Sequence, residues 1–168
     1  SENNEVELRK SFNGFLEFGT AGLRGPVRPG PTGMNRAVVG RTAAGTAAFL
    51  ISRGLSKVVI GRDARHGSAE FMQESAEILS GAGLDVYLLP RELPTPVLAF
   101  AVNEMKMDCG IMVTASHNPA TDNGYKVYLG GNLDGVEYRG SQIIAPVDKE
   151  ISELISQVAL PSPRGLNW

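Results

Sequence analysis

The sequence predicts an α/β protein, a three-layer α/β/α sandwich built on a mainly parallel mixed sheet. Two observations carry this reading. Short apolar runs that close on polar residues alternate with longer segments whose apolar residues recur at helical spacing. The helical segments end at capping or stop residues, and strands joined through helices need right-handed crossovers and a sheet covered on both faces. The composition agrees, since 42% hydrophobic and 20% charged residues in a chain of 168 are those of a globular domain. Such a domain buries roughly 70% of the surface its unfolded chain exposes.

In chain order, Ser1–Leu16 reads as an amphipathic lead-in helix with Val6, Leu8, Phe12 and Phe15 as its apolar residues. Asn35–Arg53 is alanine-rich, with Gly54 as its stop, and predicts a second helix. Lys57–Asp63, KVVIGRD, is a buried strand. Ser68 is placed to cap the next helix, which carries Phe71, Ser75, Ile78 and Leu79 on one face and stops at Gly81 and Gly83. Asp85–Leu89 is a strand. Thr95 and Pro96 then open a helix whose apolar stripe is Val97, Leu98, Ala101, Val102 and Met105. Asp108–Thr114, DCGIMVT, is the third strand, and Val113–Tyr128 ends as another begins. Asn132–Gln142 has turn residues and charge and reads as a surface hairpin or loop. Gln142–Ala145 predicts a last strand and Asp148 to Val158 a last helix. Leu160–Trp168, LPSPRGLNW, has two prolines, a glycine and no periodicity, the composition of an interdomain linker. Residues 1–158 are therefore expected to form one domain and 159–168 the start of a linker to a second.

Several function classes are disfavoured. A net charge of −2 with both signs mixed along the chain leaves no footprint for nucleic acid or for a membrane surface. Cys109 is the only cysteine, so neither a disulfide framework nor a cysteine metal cluster is available. No apolar run approaches the roughly 18 residues of a membrane span, and Ser1–Lys10 is too charged for a signal peptide. A cytoplasmic protein is expected.

Ligands of open α/β sheets gather at the carboxyl ends of the strands. Three polar loops follow strand ends here: Gly61–Ser68 (GRDARHGS), Pro90–Pro96 (PRELPTP) and Thr114–Lys126 (TASHNPATDNGYK). A fourth candidate loop is Phe18–Gly25, FGTAGLRG, where glycines spaced by three surround Arg24. Glycines let a backbone approach a ligand, and arginine suits a phosphate. The chain has no G-x-x-x-x-G-K-[ST] P-loop, no G-x-G-x-x-G after a strand and no G-x-S-x-G elbow around Ser116. His66 and His117 with one cysteine do not make a zinc site. A serine is a poor nucleophile until a base activates it, and Thr114, Ser116 and Asn118 are also residue types that satisfy a turn's own backbone. The residues alone leave both readings open.

Thr114–Pro119 (TASHNP) followed by Asp122–Lys126 (DNGYK) resembles the catalytic loop of the α-D-phosphohexomutases, the family of phosphoglucomutases and phosphomannomutases. FGTAGLRG resembles that family's amino-terminal motif and GRDARHGS its first strand-to-helix loop. ELPTP fits a further loop, and Ile143–Ile151 resembles the passage closing the first domain. The likeness covers nearly the whole chain but only the first of four family domains, the one that bears the phosphoserine. The resemblance implies that Ser116 carries a phosphoryl group between turnovers and exchanges it with a hexose or pentose phosphate through a sugar bisphosphate. It implies Mg²⁺ held through the phosphate on Ser116. Lys126 is implied as acid/base and Arg24 as phosphate clamp, both in contact with substrate. His117 is implied either in proton transfer or in shaping the loop, and Asn118 in the turn geometry beside the substrate. Arg62, Asp63 and Arg65 are expected to brace loops, and His66 to be a solvated loop residue.

The family's other metal ligands form a D-x-D-x-D run in its second domain, and no D-x-D occurs in this sequence. The remaining domains of the parent enzyme are thus expected partners, and almost no turnover is expected from this chain alone. Two other readings compete. One is a non-catalytic domain of the same descent that binds a sugar phosphate or a partner protein. The other is a serine hydrolase using Ser116 and His117.

Overall fold

A computed structural model describes residues 2–158; the linker expected at 159–168 lies outside the described residues. Helix α1 (Glu2–Phe12) leads in, but Val6, Leu8, Phe12 and the following Phe15 are all about half exposed or more. The apolar face expected there is therefore not buried among the described residues. The first strand, β1 (Leu23–Pro26), overlaps the end of the glycine-rich candidate loop Phe18–Gly25. The correction has a local cause: glycines hide the alternation of so short a strand.

Helix α2 (Arg36–Ser52) starts where Asn35 Oδ1 accepts the Val38 N–H at 3.1 Å. Its buried Ala43, Ala44, Gly45, Thr46 and Ala47 keep it slim enough to pack against two helices at once. Strand β2 (Lys57–Arg62), helix α3 (Ser68–Gly81), strand β3 (Asp85–Leu88), helix α4 (Thr95–Glu104) and strand β4 (Cys109–Val113) follow in the expected alternation. Neither Ser68 nor Thr95 is a cap. Each is the first helical residue, and the cap positions, Gly67 and Pro94, make no side-chain capping bond. The Ser68 hydroxyl instead donates to Asp63, which outcompetes the helix's own amides because it is charged. Met105, expected in the stripe of α4, is 45% exposed.

Strand β5 (Asp122–Leu129) is the longest. After it, β6 (Asn132–Leu133) and β7 (Val136–Glu137) make the surface hairpin. Its two-residue turn, Asp134–Gly135, has positive φ at both residues (52° and 84°), as the turn that matches strand twist requires. Strand β8 is confined to Ser141–Gln142, and α5 (Val147–Gln157) closes the described chain.

The main sheet runs β1-β5-β4-β2-β3, with β8 beside β5. Strands β3, β2 and β4 are parallel, whereas β5 runs antiparallel to β4, β1 and β8. Successive side chains alternate between faces. Val58, Ile60, Cys109, Ile111, Val113, Tyr125 and Val127 therefore join the larger core under α2, α3 and α5. Val59, Met112 and Tyr128 face α4 and pack on Leu98, Val102 and Met107. Lys126 lies between two residues of the larger core, so its side chain belongs to the α4 face, where the apolar cover is thinner. No helix among the described residues is long and apolar enough to cross a membrane.

Candidate active site at the strand ends

Because β2 and β4 are parallel and pair Arg62 with Val113, the loops leaving them start side by side. Asp63 joins them. Its backbone N–H donates to Val113 O at 3.1 Å, and its carboxylate accepts from the Thr114 hydroxyl (2.6 Å) and the Ser68 hydroxyl (2.6 Å). Thr114 Oγ1 in turn accepts the Ser116 N–H at 3.0 Å. The third loop reaches the same place through Glu92, paired with Arg62 at 2.5 Å. The Glu92 carboxyl is held below its usual range by its own backbone N–H and by Arg62. The three strand-end loops picked out in the sequence thus converge.

Arg65 binds the serine loop from behind. Its Nη1 donates to the carbonyls of Pro119 (2.6 Å) and Asp122 (3.0 Å). Its Nη2 donates to the carbonyls of Ser116 (2.8 Å) and Asn118 (2.8 Å). From the other side, buried Asn123 donates to His66 O and to Ser68 Oγ, both at 2.9 Å. Asn123 is thus a cross-link at the start of β5.

Ser116 is exposed at the head of this loop with φ of 55°, in the left-handed region that residues other than glycine seldom occupy. Lys126 Nζ donates to its Oγ at 2.7 Å. The lysine is 8% exposed; burial, and then the charge of Arg24, hold its pKa below the ordinary lysine value. A lysine so placed gives up its proton more easily than a solvated one and can exchange protons with the hydroxyl it touches.

Arg24 reaches the site because β1 lies tight against β5, pairing Leu23 with Tyr125 and Arg24 with Gly124. Two glycines permit this. A Cβ on Gly22, which has φ of 78°, would stand 2.1 Å from Tyr125 O. A Cβ on Gly124 would stand 2.5 Å from Thr114 O and 2.8 Å from Leu23 O. Arg24 Nε is buried and has no hydrogen-bond partner among the described residues. A buried donor without a partner is costly.

The remaining expected site residues divide. Asn118 is committed to the turn: its Nδ2 donates to Asp122 Oδ2 at 3.1 Å and its N–H to Ala115 O at 3.0 Å. His117 is exposed and makes no hydrogen bond to Ser116 among the described residues, so the Ser116–His117 hydrolase reading gains nothing from the geometry. His66 is exposed, as expected of a solvated residue. Arg62, Asp63 and Arg65 brace loops, as the sequence suggested. What the sequence did not reveal is that Arg65 alone gathers four carbonyls of the serine loop.

The domain is thus an α/β/α sandwich that presents a serine hydroxyl to a buried lysine at its strand ends, with an arginine beside them. Residues 16–160 match the family described as phosphoglucomutase/phosphomannomutase, alpha/beta/alpha domain I, and the chain belongs to that family as its first domain. It is 52% identical over 130 residues to the "Probable phosphomannomutase" of Haemophilus influenzae, covering 76% of this chain and 25% of that one. It is 39% identical over 174 residues to the phosphopentomutase of Homo sapiens, covering 98% of this chain and 27% of that one. Among solved structures, a phosphoglucomutase/phosphomannomutase family protein from Burkholderia thailandensis superimposes with a TM-score of 0.68. The two are 25% identical, covering 90% of this chain and 31% of that one. The chain thus spans about a quarter of the length of the curated relatives it matches.

Proposed function

We propose that this chain supplies the phosphoryl-carrying serine of a phosphosugar mutase. Such an enzyme moves a phosphoryl group between two carbons of a sugar, as between glucose 1-phosphate and glucose 6-phosphate or the mannose equivalents. The observation that carries the reading is the 2.7 Å hydrogen bond from Lys126 to Ser116, set beside an arginine with a buried unpartnered donor. Ser116 Oγ attacks a phosphorus of a sugar bisphosphate, an Oγ–P bond forms and the P–O bond to the sugar breaks. Lys126, in its deprotonated form, takes the hydroxyl proton and passes it to the departing sugar oxygen, so that no net proton is gained or lost. The reverse step returns the phosphoryl group to the other carbon. Arg24 and Lys126 hold the anionic oxygens in both directions, and the carbonyl clamp of Arg65 fixes where the hydroxyl stands. The names of the relatives, which include mannose- and pentose-directed mutases, support a phosphosugar substrate.

The donor set bears on Mg²⁺. Among the described residues no three His, Cys, Asp or Glu side chains group to hold a metal, and the Asp63 carboxylate is occupied by Thr114, Ser68 and Arg65. This chain fits Mg²⁺ only through phosphate oxygens carried on Ser116, with the other ligands coming from elsewhere in a longer protein. When bound, the cation offsets negative charge at the phosphoryl group in transfer.

The test is to incubate the full gene product with glucose 1,6-bisphosphate and Mg²⁺ and map phosphate by peptide mass spectrometry. One phosphoryl group is expected on Ser116 and none in Ser116→Ala. Phosphate on another residue, or its absence from the wild type, overturns the reading.

A further inference from the structure

We infer that Arg65 is the positioning residue of the phosphoryl-transfer step, acting through the backbone of the serine loop rather than through substrate; this rests on the function proposed above. The geometry is specific. Its two terminal nitrogens carry four N–H donors, and four carbonyls accept from them: Ser116, Asn118, Pro119 and Asp122. The third nitrogen, Nε, which carries the fifth N–H, lies 3.3 Å from Asp63 Oδ2. Arg65 therefore gives both terminal nitrogens to the loop's carbonyls and turns its Nε side to a carboxylate, which leaves its terminal donors none for a ligand. That sets it apart from Arg24, whose Nε is unpartnered.

The carbonyls it gathers run from the nucleophile itself to the first residue of β5. Gathering them closes residues 116–122 into a ring around one guanidinium and fixes the Ser116 carbonyl directly. With that carbonyl fixed and the Ser116 N–H held on Thr114 Oγ1, the serine peptide units are pinned on both sides, and φ stays at 55°. In that conformation Oγ meets Lys126. Asp63 in turn fixes Arg65: its Oδ1 accepts the Arg65 backbone N–H at 3.0 Å, and its carboxylate also holds Thr114. One carboxylate thus aligns the clamp with the residue that anchors the serine. A lysine has no planar fork and cannot span four separated carbonyls.

The experiment compares wild type, Arg65→Lys and Arg65→Ala in the full gene product, with glucose 1,6-bisphosphate as the probe. Misplacing a reacting group by about 1 Å costs on the order of 100-fold in rate. The maximal rate of Ser116 phosphorylation is therefore expected to fall about 100-fold in both variants, with the half-saturating bisphosphate concentration within about 2-fold of wild type. Added guanidinium should restore part of the rate in Arg65→Ala, and none in a variant that is simply misfolded. Amide hydrogen exchange should rise at residues 114–122 while the strands of the sheet keep their protection. Unchanged exchange in that loop, or a wild-type phosphorylation rate in Arg65→Ala, overturns the clamp. A wild-type chain that takes no phosphoryl group overturns the proposed function instead, and the exchange data alone then decide the clamp.

Discussion

Met112 and Lys126 face each other in the antiparallel register of β4 and β5, and this pairing delivers the lysine to Ser116. The chain leaves β4 just past Met112, turns through the serine loop and returns along β5. The loop head and the lysine thereby meet above the same face of the sheet. A slip of one residue would send Lys126 into the larger core and Tyr125 out of it. The register, held by Tyr125 and Val127 in that core, is therefore a condition of the chemistry.

Replacing Lys126 by Met removes the amine but keeps a chain of similar length. Phosphoryl transfer should slow by about 10²- to 10⁴-fold, the usual contribution of a positioned acid or base, with a smaller change in KM. Steady-state kinetics on the full gene product checks this; a rise in KM at unchanged kcat would make Lys126 a binding residue only.

The Lys126 pKa is lowered first by burial and then by Arg24. Removing the second cause with Arg24→Gln should move it back toward the ordinary value of about 10.4, measured by NMR titration of the lysine Cε and Nζ signals. The sign for stability follows. The folded lysine binds its proton less tightly than the unfolded one, so the unfolded chain holds more protons between the two pKa values. The penalty is full below the folded value and fades as pH rises to the unfolded one. Arg24→Gln should narrow that window; identical titrations of the two proteins would refute the coupling.

Gly124→Ala places a methyl 2.5 Å from Thr114 O and 2.8 Å from Leu23 O. Backbone cannot yield as a side chain does, so β1 must move off β5. A loss of about 1–3 kcal/mol is expected, read from the midpoint of urea denaturation, together with a loss of transfer rate as Arg24 moves away. A variant as stable and as active as wild type would show that β1 is not needed where it sits.

Leu98→Ala should cost about 2–5 kcal/mol by opening a cavity on the α4 side, since Leu98 is fully buried there against Val59, Val102 and Met112. The serine loop draws its bonds from Asp63, Arg65 and Asn123, so activity at temperatures below the unfolding transition should change little. Thermal denaturation alongside kinetics separates the two.

Cys109 is buried and its thiol is pushed well above the ordinary range, chiefly by burial. Iodoacetamide should therefore leave the folded protein unlabelled and react once denaturant unfolds it. Labelling at the native rate of a free thiol would contradict the packing of β4.

Much of this architecture can be read from sequence because its parts are local. Asn35 and Gly54 bracket α2, Asp134–Gly135 marks the hairpin turn, and KVVIGRD ends its apolar run where the site begins. The misreadings occur where a distant partner decides the outcome. Ser68 has the chemistry of a cap, but Asp63 claims its hydroxyl. Leu23–Pro26 is too short and glycine-flanked to signal a strand, and becomes one only by lying on β5. The serine, lysine and arginine of the site were visible as motifs. Their distances depend on strand register, and the role of Arg65 depends on carbonyls more than 50 positions further along the chain, which carry no side-chain signature.

The left-handed backbone at Ser116 also bears on why a serine stands there. Threonine carries the same hydroxyl, and phosphoryl chemistry by itself has little reason to prefer one alcohol over the other. A β-branched side chain at φ of 55°, however, crowds its own backbone and is an outlier in folded proteins. The loop that brings the hydroxyl to its lysine thus restricts the identity of the residue that bears it. Selection on this position acts through shape as well as reactivity, and the second of two equally capable alcohols is kept out by one dihedral angle.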